Sequence, residues 1–301
     1  DLGLMMEVSV GRVGLEFFRS FVAERLGLDY ASKPDALADA LRLRMRALGC
    51  ADADSYLAYV GQPKAQKDEL RALAELLTVG ETFFFRNADH MRALGELVLP
   101  DRLRARASSR RLRVLSAGCA TGEEPYTVAI LLRELVPDLS SWDIEILGVD
   151  VHGGALAAAS RGTYSAWSLR ATPERIQRAY FARDGRSFVL EPSVRRMVTF
   201  EERNLSAEDP SFWRPGSFDV VLCRNVIMYL TPASMRAVVG RIAGALTHGG
   251  FLFLGHAETL RGLSQQFHLR HTHETFYYQR RETSCGGSEP VHSSASRDES
   301  E

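Results

Sequence analysis

The stretch that most constrains this chain runs from Arg111 to Tyr126, RLRVLSAGCATGEEPY. Leu112, Val114 and Leu115 form a short apolar run that stops at Ser116-Ala117-Gly118-Cys119-Ala120-Thr121-Gly122. The acidic pair Glu123 and Glu124 follows, and Tyr126 to Leu135 has the apolar pattern of a helix. Strand, small-residue turn and helix in that order bring backbone close to a ligand at the carboxyl end of a buried strand. The glycines are spaced G-x-x-x-G, which is not the dinucleotide fingerprint G-x-G-x-x-G. Nor is it a phosphate-binding loop, because no Gly-Lys-Ser/Thr follows. The two glutamates suit the positive end of a helix dipole and would repel a pyrophosphate placed there. A ligand with hydroxyls, an amine or a sulfonium fits better. Taken alone, the pattern also suits an ordinary strand-to-helix turn of any α/β protein.

Beyond this stretch, strand and helix signals alternate, which predicts a doubly wound parallel sheet. The expected strands are 112–116, 144–149, 198–201, 219–223, 251–255 and 275–279, with helices at about 124–135 and 155–160. Asp150 ends the second strand, where such folds hold ribose hydroxyls. Residues 161–197 break the rhythm with a short helix from Pro173 to Phe181 and a β-prone Ser187 to Leu190, the pattern of an inserted subdomain. The fourth strand runs into Arg224-Asn225-Val226-Ile227-Met228-Tyr229-Leu230. Thr231 and Pro232 then start a helix expected to reach a glycine C-cap at His248-Gly249-Gly250.

The first 80 residues or so carry helical spacing only. Val13 to Leu26 has Leu15, Phe18, Val22 and Leu26 on one face, and Ala36 to Leu48 has Leu37, Leu41, Met45 and Leu48. Ser32-Lys33-Pro34 separates the two helices; Asp54-Ser55 starts a third, and Leu70 to Leu77 forms another. Arg42, Arg44 and Arg46 read as a solvated face or as a docking surface for an acidic helical partner. In TVGETFFFRNADHM, three phenylalanines (Phe83 to Phe85) lead into Arg86, placing a charge over an apolar pocket. The expected organisation is a helical N-terminal domain (1–85), a linker helix (86–110), an α/β domain (111–281, with 161–197 inserted) and a disordered tail (282–301).

Composition excludes several classes. With 45% hydrophobic and 25% charged residues the chain is globular, and a net charge of -1 drives it onto neither nucleic acid nor anionic membrane. Cys50, Cys119, Cys223 and Cys285 form no C-x-x-C pair, so neither a zinc site nor a disulfide framework is expected. No run is long enough to span a bilayer and no signal-peptide pattern is seen, which points to the cytoplasm.

In combination, ETFFFRNADH, LSAGCATGEEPYTVAILL, the strand ending in Asp150, RNLS, FDVVLCRNVIMYL and FLFLGHAE resemble the chemotaxis receptor glutamate methyltransferases, the CheR family. The resemblance covers roughly residues 13 to 280, in the family's order and spacing. It implies a small all-helical N-terminal domain before a Rossmann-like methyltransferase domain with an inserted antiparallel β-subdomain. It also implies S-adenosylmethionine as cofactor, S-adenosylhomocysteine as product and no metal. The implied partners are the cytoplasmic helices of methyl-accepting chemotaxis receptors, with no nucleic acid and no membrane insertion, and the enzyme is expected to be a monomer. The implied cofactor contacts are Thr82, Arg86, Glu124, Asp150, Asn204, Leu205, Cys223 and Arg224, and the implied catalytic pair is Arg86 and Tyr229. Gly80 departs from the family's polar asparagine, and His152 stands where a second acidic residue often follows the ribose carboxylate.

These residue types suit the chemistry. A glutamate carboxylate is already ionised near neutral pH, so no general base is required. Arg86 has a rigid fork able to orient a carboxylate, and Tyr229 a hydroxyl to place beside the transferring methyl. Asp150 would accept from ribose hydroxyls and Glu124 from a donor on the cofactor, while Cys223 and Arg224 would mainly offer backbone. His256 and Glu258 read as structural support, Cys119 as packing, and His271 with His273 as too few ligands for a metal. The competing readings are a nucleic-acid methyltransferase and a cofactor-binding signalling module without turnover. Against the first, Asn225 to Tyr229 contains no Pro-Pro pair. Against the second, Arg86 and Tyr229 are both present.

Overall fold

The structure, a computed structural model, describes residues 11–282. The expected tail, apart from Glu282, and Cys285 lie outside the described residues.

Four helices come first: α1 (Arg12–Leu26), α2 (Pro34–Leu48), α3 (Ala53–Val60) and α4 (Pro63–Leu77). Each turns one apolar face inward, so that Phe18, Val22, Leu37, Leu41, Met45, Tyr56 and Leu73 share a core. The third helix starts earlier than Asp54-Ser55, because the Asp52 side chain accepts from Ser55 N at 2.8 Å and caps it. The fourth starts at Pro63, not Leu70; its first turns (Lys64 to Asp68) are polar and carry no apolar period, while proline suits the first helical position. Arg44 corrects the solvated-face reading of α2. It pairs with Glu69 at 2.7 Å, and Glu69, only 3% exposed, also accepts from Tyr56 Oη at 2.7 Å. Burying that carboxylate is tolerable only because it is paired on both sides.

A helical segment follows: α5 (Ala88–Ala93), a π-helical turn (Leu94–Val98) and α6 (Leu99–Ala105). Pro100 at the start of α6 lacks an N–H and its ring crowds the preceding turn, which accounts for the widened turn just before it.

The α/β region comprises β1 (Arg111–Ala117), α7 (Glu123–Leu135), β2 (Asp143–Asp150), α8 (Gly153–Arg161), β3 (Thr163–Ser165), α9 (Glu174–Tyr180), β4 (Phe181–Asp184), β5 (Ser187–Leu190), α10 (Pro192–Arg195), β6 (Val198–Glu202), β7 (Phe218–Cys223), α11 (Pro232–Ala245), β8 (Leu246–Leu254), β9 (Phe267–Thr272) and β10 (Thr275–Arg280). The main sheet has the order β6-β2-β1-β7-β8-β10-β9. Its first five strands are parallel, and β10 runs antiparallel to both β8 and β9. The sheet is therefore Rossmann-like with an antiparallel edge, not parallel throughout. Strands β3, β5 and β4 form the small antiparallel sheet within the inserted segment.

Every position of β7 is buried, as expected for a central strand covered on both faces. Asp219 within it is held by Arg106 at 2.6 Å and by Arg113 N at 3.0 Å. The expected glycine C-cap of α11 is not formed. The helix ends at Ala245, and Leu246 is extended (φ -68, ψ 143) because it already pairs with Phe218 in β8. Gly249, at φ 68, instead sits where the β7–β8 register shifts.

Candidate active site

The turn after β1 is shaped by backbone demands. Gly118 has φ 79, and a Cβ there would stand 2.4 Å from Val226 Cγ2. Only glycine meets both conditions. The amides of Gly118 and Cys119 both donate to the carbonyl of Val149, at 2.8 and 3.0 Å, locking the turn to the end of β2. Ala120, also at positive φ (47), donates its N–H to Asp150 Oδ2 at 2.8 Å, and His152 N donates to Oδ1 at 2.9 Å. The carboxylate is thus fixed by two amides and keeps lone pairs for a ligand. His152 serves as a helix cap: its Nδ1 accepts from Ala155 N at 3.0 Å and starts α8.

One cavity beside this turn is lined by Thr82, Arg86, Glu124, Asp150, Asn204, Leu205, Arg224 and Tyr229. Gly80 and His152 line it as well. Cys223 does not: it is wholly buried, and burial pushes its thiol well above the usual range. Cys119 is similarly buried with its thiol pushed up, which makes it a packing residue.

Arg224 and Glu124, both in the cavity wall, are joined side chain to side chain. Arg224 acts through its side chain, which is buried at 6% residue exposure. Its Nη1 donates to Glu124 Oε2 at 3.0 Å, and its Nη2 to the carbonyl of Arg86 at 2.7 Å and to Asn87 Oδ1 at 2.6 Å. Burial lowers its pKa, and the adjacent Glu124 opposes that shift. Glu124 also accepts from Ser116 Oγ at 2.7 Å, so both its oxygens are engaged within the protein. It neutralises Arg224 and, like Asp150, keeps lone pairs at the cavity it lines.

Arg86 lies between two left-handed residues, Phe85 (φ 57) and Asn87 (φ 62). Its Nη1 donates to Glu81 O at 2.5 Å and its guanidinium sits 5.7 Å from the Phe83 ring. Tyr229 is half-buried, and its carbonyl accepts from Asp29 N at 2.8 Å, tying the cavity to the helical domain. Asn204 makes a second tie, donating from Nδ2 to Arg25 O at 2.8 Å.

Three residues had no assigned contact in the sequence reading. Asn87 helps hold Arg224, as above. Glu258, placed only as support, accepts from the amides of Asn225 (2.8 Å), Val226 (2.9 Å), Met228 (3.1 Å) and Gly255 (2.5 Å), and so fixes the loop carrying Tyr229. His90, 2% exposed, sets Nε2 3.2 Å from Phe276 O, and burial followed by the charge of Arg224 lowers its pKa to about 4. The available signal was proximity in sequence to Arg86 and to the FLFLGHAE strand end. Among the described residues no cluster of three potential metal ligands occurs; His273 Nε2 lies 3.1 Å from Glu96 Oε2, and the His271 ring packs at a tilt against Phe276.

Comparison with known families decides what this arrangement belongs to. Residues 80–276 match the CheR methyltransferase, SAM binding domain, and residues 14–78 the CheR methyltransferase, all-alpha domain. The chain belongs to the CheR methyltransferase family. Chemotaxis protein methyltransferase 2 of Vibrio cholerae is 37% identical over 217 residues, covering 71% of this chain and 75% of that protein. Chemotaxis protein methyltransferase 1 of Pseudomonas aeruginosa is 30% identical over 270 residues, covering 87% and 96%. A probable biofilm formation methyltransferase, WspC, from the same organism is 33% identical over 244 residues, covering 80% and 56%.

As a CheR methyltransferase, the chain uses S-adenosylmethionine. Its residues fit that cofactor: the Gly118 turn leaves space only for hydrogen, and the Asp150 carboxylate is held at the cavity wall. No helix among the described residues is long and apolar enough to cross a membrane.

Proposed function

We propose that this CheR methyltransferase esterifies glutamate side chains on the cytoplasmic helices of methyl-accepting chemotaxis receptors, consuming S-adenosylmethionine to set sensory adaptation. The observation that carries this reading is that Arg86, Tyr229 and Asp150 line one cavity. The imidazole of His152 in the cavity wall is engaged as a helix cap.

When bound, S-adenosylmethionine supplies an electrophilic sulfonium methyl. Asp150 would hold the ribose hydroxyls, Thr82 and the backbone around Leu205 would line the remainder, and Asn204 would keep the helical domain against the cavity. Arg86 would orient the acceptor carboxylate through donors left free by its bond to Glu81 O. Pairing that is too tight would stabilise the ground state, so orientation is its useful contribution. Tyr229 Oη would donate a hydrogen bond near the reacting atoms. No proton has to move, because the acceptor is already a carboxylate. Alignment and exclusion of water then supply most of the rate.

The test is transfer of labelled methyl from S-adenosylmethionine to receptor-containing membranes. Base-labile label on receptor bands, lost in Arg86→Ala, supports an ester and the role of Arg86. Cofactor binding with no base-labile label contradicts the assignment, and label on added nucleic acid would replace it.

A further inference from the structure

At the cavity rim the loop before α5 meets the inserted segment. Phe84 N donates to Ser168 O at 2.9 Å, joining the two stretches of backbone. The preceding residue, Phe83, lines the cavity. The Arg170 guanidinium lies 3.6 Å from the Phe83 ring centre and 4.1 Å from that of Trp167. Arg170 Nη1 donates to Trp167 O at 2.8 Å, which fixes the side chain in this layer. Its Nη2 is ion-paired with the exposed Glu81 carboxylate, Oε1 at 3.6 Å, but too far for a hydrogen bond, so an incoming carboxylate would take that donor edge in place of Glu81. The stack runs from the cavity outward as Phe83, Arg170, Trp167.

Trp167 is 68% exposed although stacking holds it in place. A single exposed apolar side chain is ordinary. Here Val79 (68% exposed) lines the same cavity, and Met228 (50%) adjoins Tyr229 in its wall. Arg86 joins these apolar groups within the cavity, and Lys33 Nζ stands 5.9 Å from the Tyr229 ring. A rim of this kind complements a partner that combines apolar side chains with carboxylates. A tryptophan already ordered by stacking loses little further freedom on contact.

We propose that the Trp167–Arg170–Phe83 stack is a docking platform for the acceptor, an acidic amphipathic helix whose apolar side chains pack on Trp167 and whose neighbouring carboxylate pairs with Arg170. This rests on the receptor-glutamate reading above and adds where the acceptor is gripped beyond the reacting carboxylate. Of the three, only Phe83 lines the cavity, so the contribution of Trp167 and Arg170 falls on acceptor binding.

The test compares wild type with Trp167→Ala, Arg170→Ala and Arg170→Lys. Steady-state methylation of receptor-containing membranes gives KM and kcat, and calorimetry gives S-adenosylmethionine affinity. The expected result for Trp167→Ala is a rise in receptor KM of about fivefold or more, with kcat and cofactor affinity within about twofold of wild type. Arg170→Lys keeps the charge but loses the planar stack, and falls between wild type and Arg170→Ala. Exposure of Trp167 makes its variant safe for folding, so the proposal stands or falls on it even if Arg170→Ala unfolds. Unchanged receptor KM in Trp167→Ala overturns the platform while the glutamate reading survives. An equal loss of cofactor affinity also overturns it. Absence of base-labile label with wild type removes both.

Discussion

Arg224 donates from Nη2 to the backbone carbonyl of Arg86 at 2.7 Å. One buried cation, neutralised by Glu124, thereby sets the position of a second cation that lines the same cavity. Arg86 sits on a loop with two non-glycine residues in the left-handed region, a conformation that persists only when its surroundings enforce it. Two bonds of Arg224, to Arg86 O and Asn87 Oδ1, hold that loop, and the third, to Glu124, holds Arg224. Arg224→Lys keeps a charge but cannot span three acceptors in a fixed fork. Turnover is expected to fall at least about tenfold. Arg224→Met leaves the Glu124 carboxylate unpaired and is expected to cost about 3–5 kcal/mol of stability. Steady-state kinetics and chemical denaturation separate the two effects.

Glu258 makes a second prediction. Its carboxylate collects four backbone amides, three of them in the loop that leads to Tyr229. Glu258→Gln turns one acceptor into a donor facing N–H groups, with a loss of about 1–3 kcal/mol. Turnover should drop more than S-adenosylmethionine affinity, because the loop is disturbed while Asp150 and its amides are not. Calorimetry beside single-turnover methylation checks this split.

His90 predicts a pH dependence of stability. Its folded pKa of about 4 lies below the ordinary 6.5. Below pH 6.5 the unfolded chain takes up a proton that folded His90 refuses, so its contribution is complete above 6.5 and is lost progressively as pH falls toward 4. At about pH 5 the loss is on the order of 2 kcal/mol relative to neutral pH. His90→Gln should lack this part of the slope, as measured by urea unfolding at several pH values.

Gly118→Ala is expected to fail for two separate reasons. The backbone is at φ 79, and the new methyl would lie 2.4 Å from Val226 Cγ2. The strain alone costs about 1 kcal/mol or more, and relieving the clash moves the turn that anchors Asp150. Both thermal stability and S-adenosylmethionine affinity should decline, the affinity by about tenfold or more.

The fold was legible wherever burial imposed a pattern. Strands β1, β2 and β7 carry short apolar runs (Val114-Leu115, Ile146 to Val149, Val220 to Cys223) where both faces are covered, and the helices of the N-terminal domain carry one apolar stripe each. Strand β9 was missed because, after Phe267, its residues His268 to His271 are exposed at the sheet edge and lack an apolar side. The end of α11 was misread because local glycine chemistry pointed one way and pairing of Leu246 with Phe218 pointed the other. At the cavity, the residues named from sequence mostly converge, Cys223 excepted. The supporting layer was not legible, because Arg224 meets Glu124 from 100 positions away and Glu258 reaches Asn225 across 33. Contacts of that separation leave no local period or spacing to read.

The most direct test of the central claim is peptide mass spectrometry of a chemoreceptor from the same source after incubation with this enzyme and S-adenosylmethionine. The expected result is a methyl group on glutamate side chains of the cytoplasmic helices, removed by mild base and absent with Arg86→Ala. Methyl found only on nitrogen, on another residue type or nowhere on the receptor would contradict it.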